Sequence, residues 1–188
     1  PLGALTLSAS SINSAIASIY TASGAVTVTG PTSLNSSIVI DSANQGTSQG
    51  ANLSLPTLTS QDSSYSVSLI AGSGSISTQR VGSSSAPLAS VSLSGGVVDV
   101  LSDIYVKDSG VVKITNSGTL TLGNGSSLTL TGTLEQNGAG VVFPQDVSFE
   151  SASFTGPSTI QNSLTLAASG DLSFSGSLDA AAQTDSAL

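Results

Sequence analysis

Short apolar–hydroxyl–apolar triplets recur from one end of this chain to the other, and they limit its fold more than any other feature. Leu5-Thr6-Leu7, Val26-Thr27-Val28, Leu53-Ser54-Leu55, Val91-Ser92-Leu93, Leu120-Thr121-Leu122, Leu128-Thr129-Leu130, Leu164-Thr165-Leu166 and Leu172-Ser173-Phe174 all follow the pattern. Alternation with period two puts Leu, Val and Ile on one face of a strand and a hydroxyl on the other. β-Branched residues suit that half-buried setting. The runs are only about three to five residues long and recur about every 6–15 residues, with Gly, Asn, Asp, Ser and Pro between them. The dipeptides Asn124-Gly125 and Asn137-Gly138 read as turns.

Two all-β architectures accommodate such strands, a sandwich of hairpins and a solenoid. The strand–Gly–strand phrase repeats with uneven spacing, as it does when loops vary between coils of a solenoid. Each coil of a β-helix contributes about three strands, each stacked on its counterpart one coil away. Coils of ~20–25 residues give ~8 coils and a rod ~40 Å long at ~4.8 Å per rung. We therefore expect residues 1–188 to form a single parallel β-helix, a segment of a longer repetitive rod.

Composition fits this expectation. Only 7% of the residues are charged, and roughly a third are Ser or Thr. Outward residues in a solenoid stack in rows, where like charges would repel and hydroxyls hydrate or pair without penalty. The clearest helical pattern, Ser10 to Tyr20 with Ile12, Ile16, Ile19 and Tyr20 on one face, predicts either a short helix or an irregular strand. Within this reading Leu120, Leu122, Leu128 and Leu130 form core rows, and Thr119, Thr121, Thr129 and Thr131 form hydroxyl rows outside.

The segment Val67 to Gly82, V-S-L-I-A-G-S-G-S-I-S-T-Q-R-V-G, is followed by A-P-L-A-S-V-S-L from Ala86 to Leu93. It resembles the repeat phrase of filamentous-haemagglutinin-type large bacterial exoproteins. Ser163 to Leu178 resembles a second, looser copy, and Ile38–Ser42 with Ala51–Leu55 fits a preceding coil. The resemblance spans about residues 36–180. It implies a right-handed β-helix, secretion across an outer membrane, and a role in adhesion or surface coating. The sequence shows no N-terminal secretion module of that family, and it opens Pro1-Leu2-Gly3 without a charged segment leading into an apolar one. Any signal peptide is expected outside it.

Charge and composition exclude several function classes. The net charge is −8, with Arg80, Lys107 and Lys113 the only basic residues. Three scattered cations cannot build the basic stripe that nucleic acid requires, nor dock on anionic lipid. No run approaches the ~18 apolar residues of a membrane span. There is no His and no Cys, so a serine nucleophile has no imidazole base, and no Ser-x-x-Lys arrangement replaces it. Carboxylate pairs such as Asp146 with Glu150 and Asp99 with Asp103 are the remaining acid–base candidates. Their ordinary reading is solvated turns and strand ends. Asp99, Asp103 and Asp108 are also the densest oxygen cluster and the calcium candidates, although they match no known calcium-loop spacing. No cofactor is expected.

The leading expectation is a non-catalytic structural or adhesive module, extracellular or at the cell surface. It would associate end to end into a fibre, with a cell-surface or carbohydrate target. A carbohydrate-binding or carbohydrate-processing solenoid is the first alternative, and carboxylates grouped with aromatic residues in one cleft would favour it. An ice-binding solenoid is the second, and it would need a Thr ladder in register. The weak Leu178–Leu188 tail, expected to give at most one helical turn, leaves the end coil without a firm cap.

Overall fold

The computed structural model describes residues 3–46, 49–124 and 127–181. Its strands are parallel and stack coil upon coil, forming an all-β solenoid of about eight turns. Three columns of rungs build it. The first passes through Leu5, Val26, Leu53, Ile76, Val98, Leu120, Val141, Ser158 and Leu178, each paired in register with the next. Steps of 21, 27, 23, 22, 22, 21, 17 and 20 residues separate these positions, so the coil length expected from the repeat pattern is met on average. The second column runs through Leu58, Val81, Ile104, Leu130, Phe149 and Ala168. The third runs through Ile19, Ile40, Leu69, Leu93, Ile114, Gln136, Phe154 and Phe174.

One core fills the space between the columns. Leu120 and Leu122 are fully buried on the first column, and Leu128 and Leu130 are buried on the second. Leu120 lies between Val98 and Val141, and Leu130 between Ile104 and Phe149, so a coil alone could not bury its own strip. Aliphatic rows give way to aromatic ones in the later coils. Phe154 packs edge-on against Phe143 at 5.3 Å and stacks with Phe174 at 5.1 Å.

Coil length varies without disturbing the columns, because extra residues leave at corners. The 27-residue step contains a loop pinched shut at its base. Both oxygens of buried Asp41 accept backbone N–H groups, from Ala43 and Gln45, at 2.7 Å each. The Ser42 hydroxyl closes the other side, donating to the Ala51 carbonyl and accepting the Ala51 N–H.

Of the two readings open for Ser10–Tyr20 the strand holds: the segment forms Ile12–Ser14 and Ser18–Tyr20, paired to Thr32–Leu34 and Ile38–Asp41. Its Ser-rich turns have little helical preference, and stacking supplies backbone partners that a short isolated helix could not match. One local expectation is overturned: Asn137-Gly138 is not a turn. It lies inside the strand Leu128–Phe143, opposite Thr115 and Asn116. There the chain bends from the third column towards the first, and a Cβ on Gly138 would sit 1.9 Å from the Asn116 carbonyl oxygen. Close approach of two coils, rather than chain reversal, requires that glycine. Of the Leu178–Leu188 tail, Leu178–Ala180 is a strand and 182–188 lie outside the described residues.

The same corner holds a buried amide network. Asn116 and Gln136 are each 1% exposed. The Gln136 Nε2 donates to Asn116 Oδ1 at 2.8 Å, and its Oε1 accepts from the Thr155 and Gly156 N–H groups at 3.1 and 3.3 Å. Asn116 Nδ2 donates to the carbonyls of Gly118 and Gly140. Two inward amides thus satisfy the backbone groups that the bend removes from the ladder.

Candidate functional site

The solenoid's outward rows are varied. On the first column the row reads Thr6, Thr27, Ser54, Ser77, Asp99, Thr121, Val142, Thr159 and Asp179. It is not a uniform threonine array. Thr119 is exposed, Thr121 and Thr129 are half-buried, and the two Thr-x-Thr pairs belong to different columns. On the third column the row reads Val39, Ser68, Ser92, Lys113, Glu135, Ser153 and Ser173, so the one cation in it sits beside the one anion. Ser90 donates to Ser66 on the neighbouring coil at 2.9 Å.

A different surface forms at the corner between the second and third columns, where loop length changes abruptly. In successive coils this corner is made by residues 82–89, 105–110, 131–132 and 150. The first two loops stand proud, and the next two are almost flush with the sheet. Leu88 pairs with Val106 and Ser90 with Val111, so a bulge throws Lys107, Asp108 and Ser109 outward. Ser109 takes a left-handed backbone, φ 63°, to complete it. The step from tall to short loops leaves an open groove of ≈ 550 Å³. Ser84, Pro87, Lys107 and Asp108 line its raised side, Tyr105 and Val106 its inner wall, and Thr131 and Glu150 its floor. A shallower hollow of ≈ 280 Å³ continues past Thr131 and Glu150 to Ser169 on the next coil.

Each floor and wall residue is fixed by the fold. Gly132 has φ +76°, and a Cβ there would meet the Val106 side chain at 2.2 Å. The Gly132 N–H is capped by Glu150 Oε2 at 2.7 Å. The Thr131 hydroxyl accepts the Val106 N–H at 2.9 Å and donates to the Val106 carbonyl at 2.7 Å. It therefore pins the tall loop to the low one, a role that an outward hydroxyl row does not imply. The Tyr105 hydroxyl donates to Asp103 Oδ2 at 3.1 Å, while Asp103 Oδ1 accepts the Thr129 N–H at 2.7 Å. Burial raises the Tyr105 phenol above its ordinary value; the Asp103 hydrogen bond and charge add to this, and Arg80 opposes it.

The remaining acidic candidates are dispersed. Asp99 lies outward on the first column, Asp103 behind Tyr105, and Asp108 on the bulge. Among the described residues no three acidic side chains gather as a cation-holding group. Asp146 accepts the Thr165 N–H at 2.6 Å and does not line the Glu150 groove. The groove offers hydroxyls, one amine, two carboxylates and an aromatic wall. With no His or Cys in the chain, it has neither an imidazole base nor a thiol nucleophile. The chain matches no protein-family model, no curated protein and no solved structure.

Proposed function

We propose that this chain is a structural and adhesive module of an extracellular bacterial surface fibre, and that it performs no catalysis. The observation that carries the reading is the continuity of the columns. Rungs stack in three columns from coil to coil, the second carried between Leu58 and Leu130 by single bridges through Val81 and Ile104. Around Leu7, Ile12 and Ile16 the core opens as an apolar hollow of ≈ 170 Å³, and Ile16 is 53% exposed. At the other end Leu178 is 47% exposed. Further coils, from the same polypeptide or a second copy, would cover these surfaces and lengthen the rod. The resemblance of Val67–Leu93 to filamentous-haemagglutinin-type exoproteins supports a secreted fibre. The groove supports adhesion, since it presents binding groups on a rigid side wall.

Electron microscopy of the protein over a range of concentrations tests this. Rods of coil cross-section that lengthen as concentration rises are expected. Compact, monodisperse particles at high concentration, or turnover of a polysaccharide abolished by Glu150→Gln, would count against it.

A further inference from the structure

We propose that the stepped corner groove binds the end of a neutral glycan chain, laid over Thr131 and Glu150 with its terminal ring against Tyr105. This deepens the adhesive reading and rests on it only for the biological role. The binding claim stands on the groove itself.

The occupant follows from the chemistry of the lining. A sugar ring has an apolar face and a rim of hydroxyls that both donate and accept. Tyr105 and Pro87 provide apolar surface, with buried Val106 behind them. The Tyr105 ring is already held through its hydroxyl by Asp103, so little side-chain freedom is lost on binding. Around it Lys107 donates, Asp108 accepts, and Glu150 has acceptor capacity beyond its one bond to Gly132. The floor steps from Thr131 to Glu150 to Ser169 over three coils, about 10 Å at ~4.8 Å per rung. That length takes two or three sugar units. The raised Lys107–Asp108 bulge closes one end, so the site receives a chain terminus rather than the middle of a long polymer.

Other occupants fit less well. The groove holds two carboxylates and one amine on a chain of net charge −8, which disfavours sulfated or phosphorylated polymers. An extended peptide would need a free strand edge. The strands flanking the groove are paired on both sides, as Val106–Leu122 is with Leu88–Gly95 and Leu128–Phe143.

The test is an array of neutral oligosaccharides probed with the whole chain, with hits followed by calorimetry. Saturable binding is expected with Kd on the order of 0.1–1 mM, tightening from mono- to trisaccharide and then levelling. Tyr105→Ala should weaken it at least tenfold, and Glu150→Gln severalfold, while Thr121→Ser on another face changes nothing. If Tyr105→Ala lowers the melting temperature, Lys107→Ala with Asp108→Ala on the exposed bulge takes its place, with a severalfold loss expected. No saturable binding by folded protein, binding confined to sulfated glycans, or binding indifferent to the groove variants overturns the proposal. Electron microscopy of the same sample separates the outcomes: rods without glycan binding reject the groove, and glycan binding by compact particles rejects the fibre.

Discussion

Gln136 occupies a third-column position between Ile114 and Phe154, where pattern alone calls for an aliphatic residue. Gln136→Leu keeps the size and supplies the apolar side chain. If the interior asked only for hydrophobicity, the variant would be more stable. The network predicts the opposite. Without the amide, Asn116 Oδ1 and the Gly156 N–H lose their partners, whereas the Thr155 N–H keeps a bond to the Gln136 carbonyl at 3.3 Å. Two buried orphaned groups cost about 1–3 kcal/mol each. The added apolar burial returns about 1–2 kcal/mol. The net loss is about 2–3 kcal/mol, a fall of about 5–10 °C in melting temperature for a chain of this length. Thermal unfolding by circular dichroism measures the total. Amide hydrogen exchange locates it, with Gly156 losing protection before the distant coils do. A double change with Asn116→Leu should cost less than the sum of the two single ones. An unaltered or raised melting temperature for Gln136→Leu, with Gly156 still protected, would refute the reasoning.

Two further outcomes are expected. Thr131→Val should destabilise the chain by about 1–3 kcal/mol, because the Val106 N–H loses its acceptor, while half-buried Thr121→Ser stays within about 0.5 kcal/mol; melting temperatures of the two variants compare them directly. Tyr105 predicts an alkaline effect: burial holds its folded phenol above the ordinary tyrosine value, so its stabilising contribution is full below about pH 10 and is lost as pH rises through the folded value. The stability difference between the parent and Tyr105→Phe, measured from pH 8 to 11, should shift in favour of the variant above pH 10, and a difference that does not change with pH contradicts the assigned environment.

The columns were legible because period two survives in nearly every coil. Leu120-Thr121-Leu122 shows which side chains face inward without any knowledge of neighbours. Local reasoning left alternatives open, or failed, where the deciding partner lies about twenty residues away. Ser10–Tyr20 carries a helical spacing of Ile by coincidence, and only the next coil draws it into strands. Asn137-Gly138 has turn chemistry, yet the constraint on Gly138 is the Asn116 carbonyl one coil below. Gln136 is in phase with inward Leu134, but its partner Asn116 appears only when neighbouring coils are aligned. The groove was least legible of all. Its lining comes from four coils, and it exists because corner loops of unequal length fall beside one another. Tyr105, Asp108 and Glu150 were visible as an aromatic residue and carboxylates, but nothing in their spacing brings Pro87, Lys107 and Thr131 to them.

The ladder hydrogen bonds of this solenoid run along the rod, and that direction has a mechanical meaning. Tension applied between the ends pulls on the contacts between coils, and an end coil can peel away while the others stay paired. A coil of about 20 residues holds about 70 Å of extended chain at ~3.3–3.6 Å per residue, yet occupies only ~4.8 Å of rod. Each coil released therefore lengthens the molecule by more than ten times the thickness it gives up. A solenoid built this way yields in small increments under load, and a released coil can rewind against the intact coil beneath.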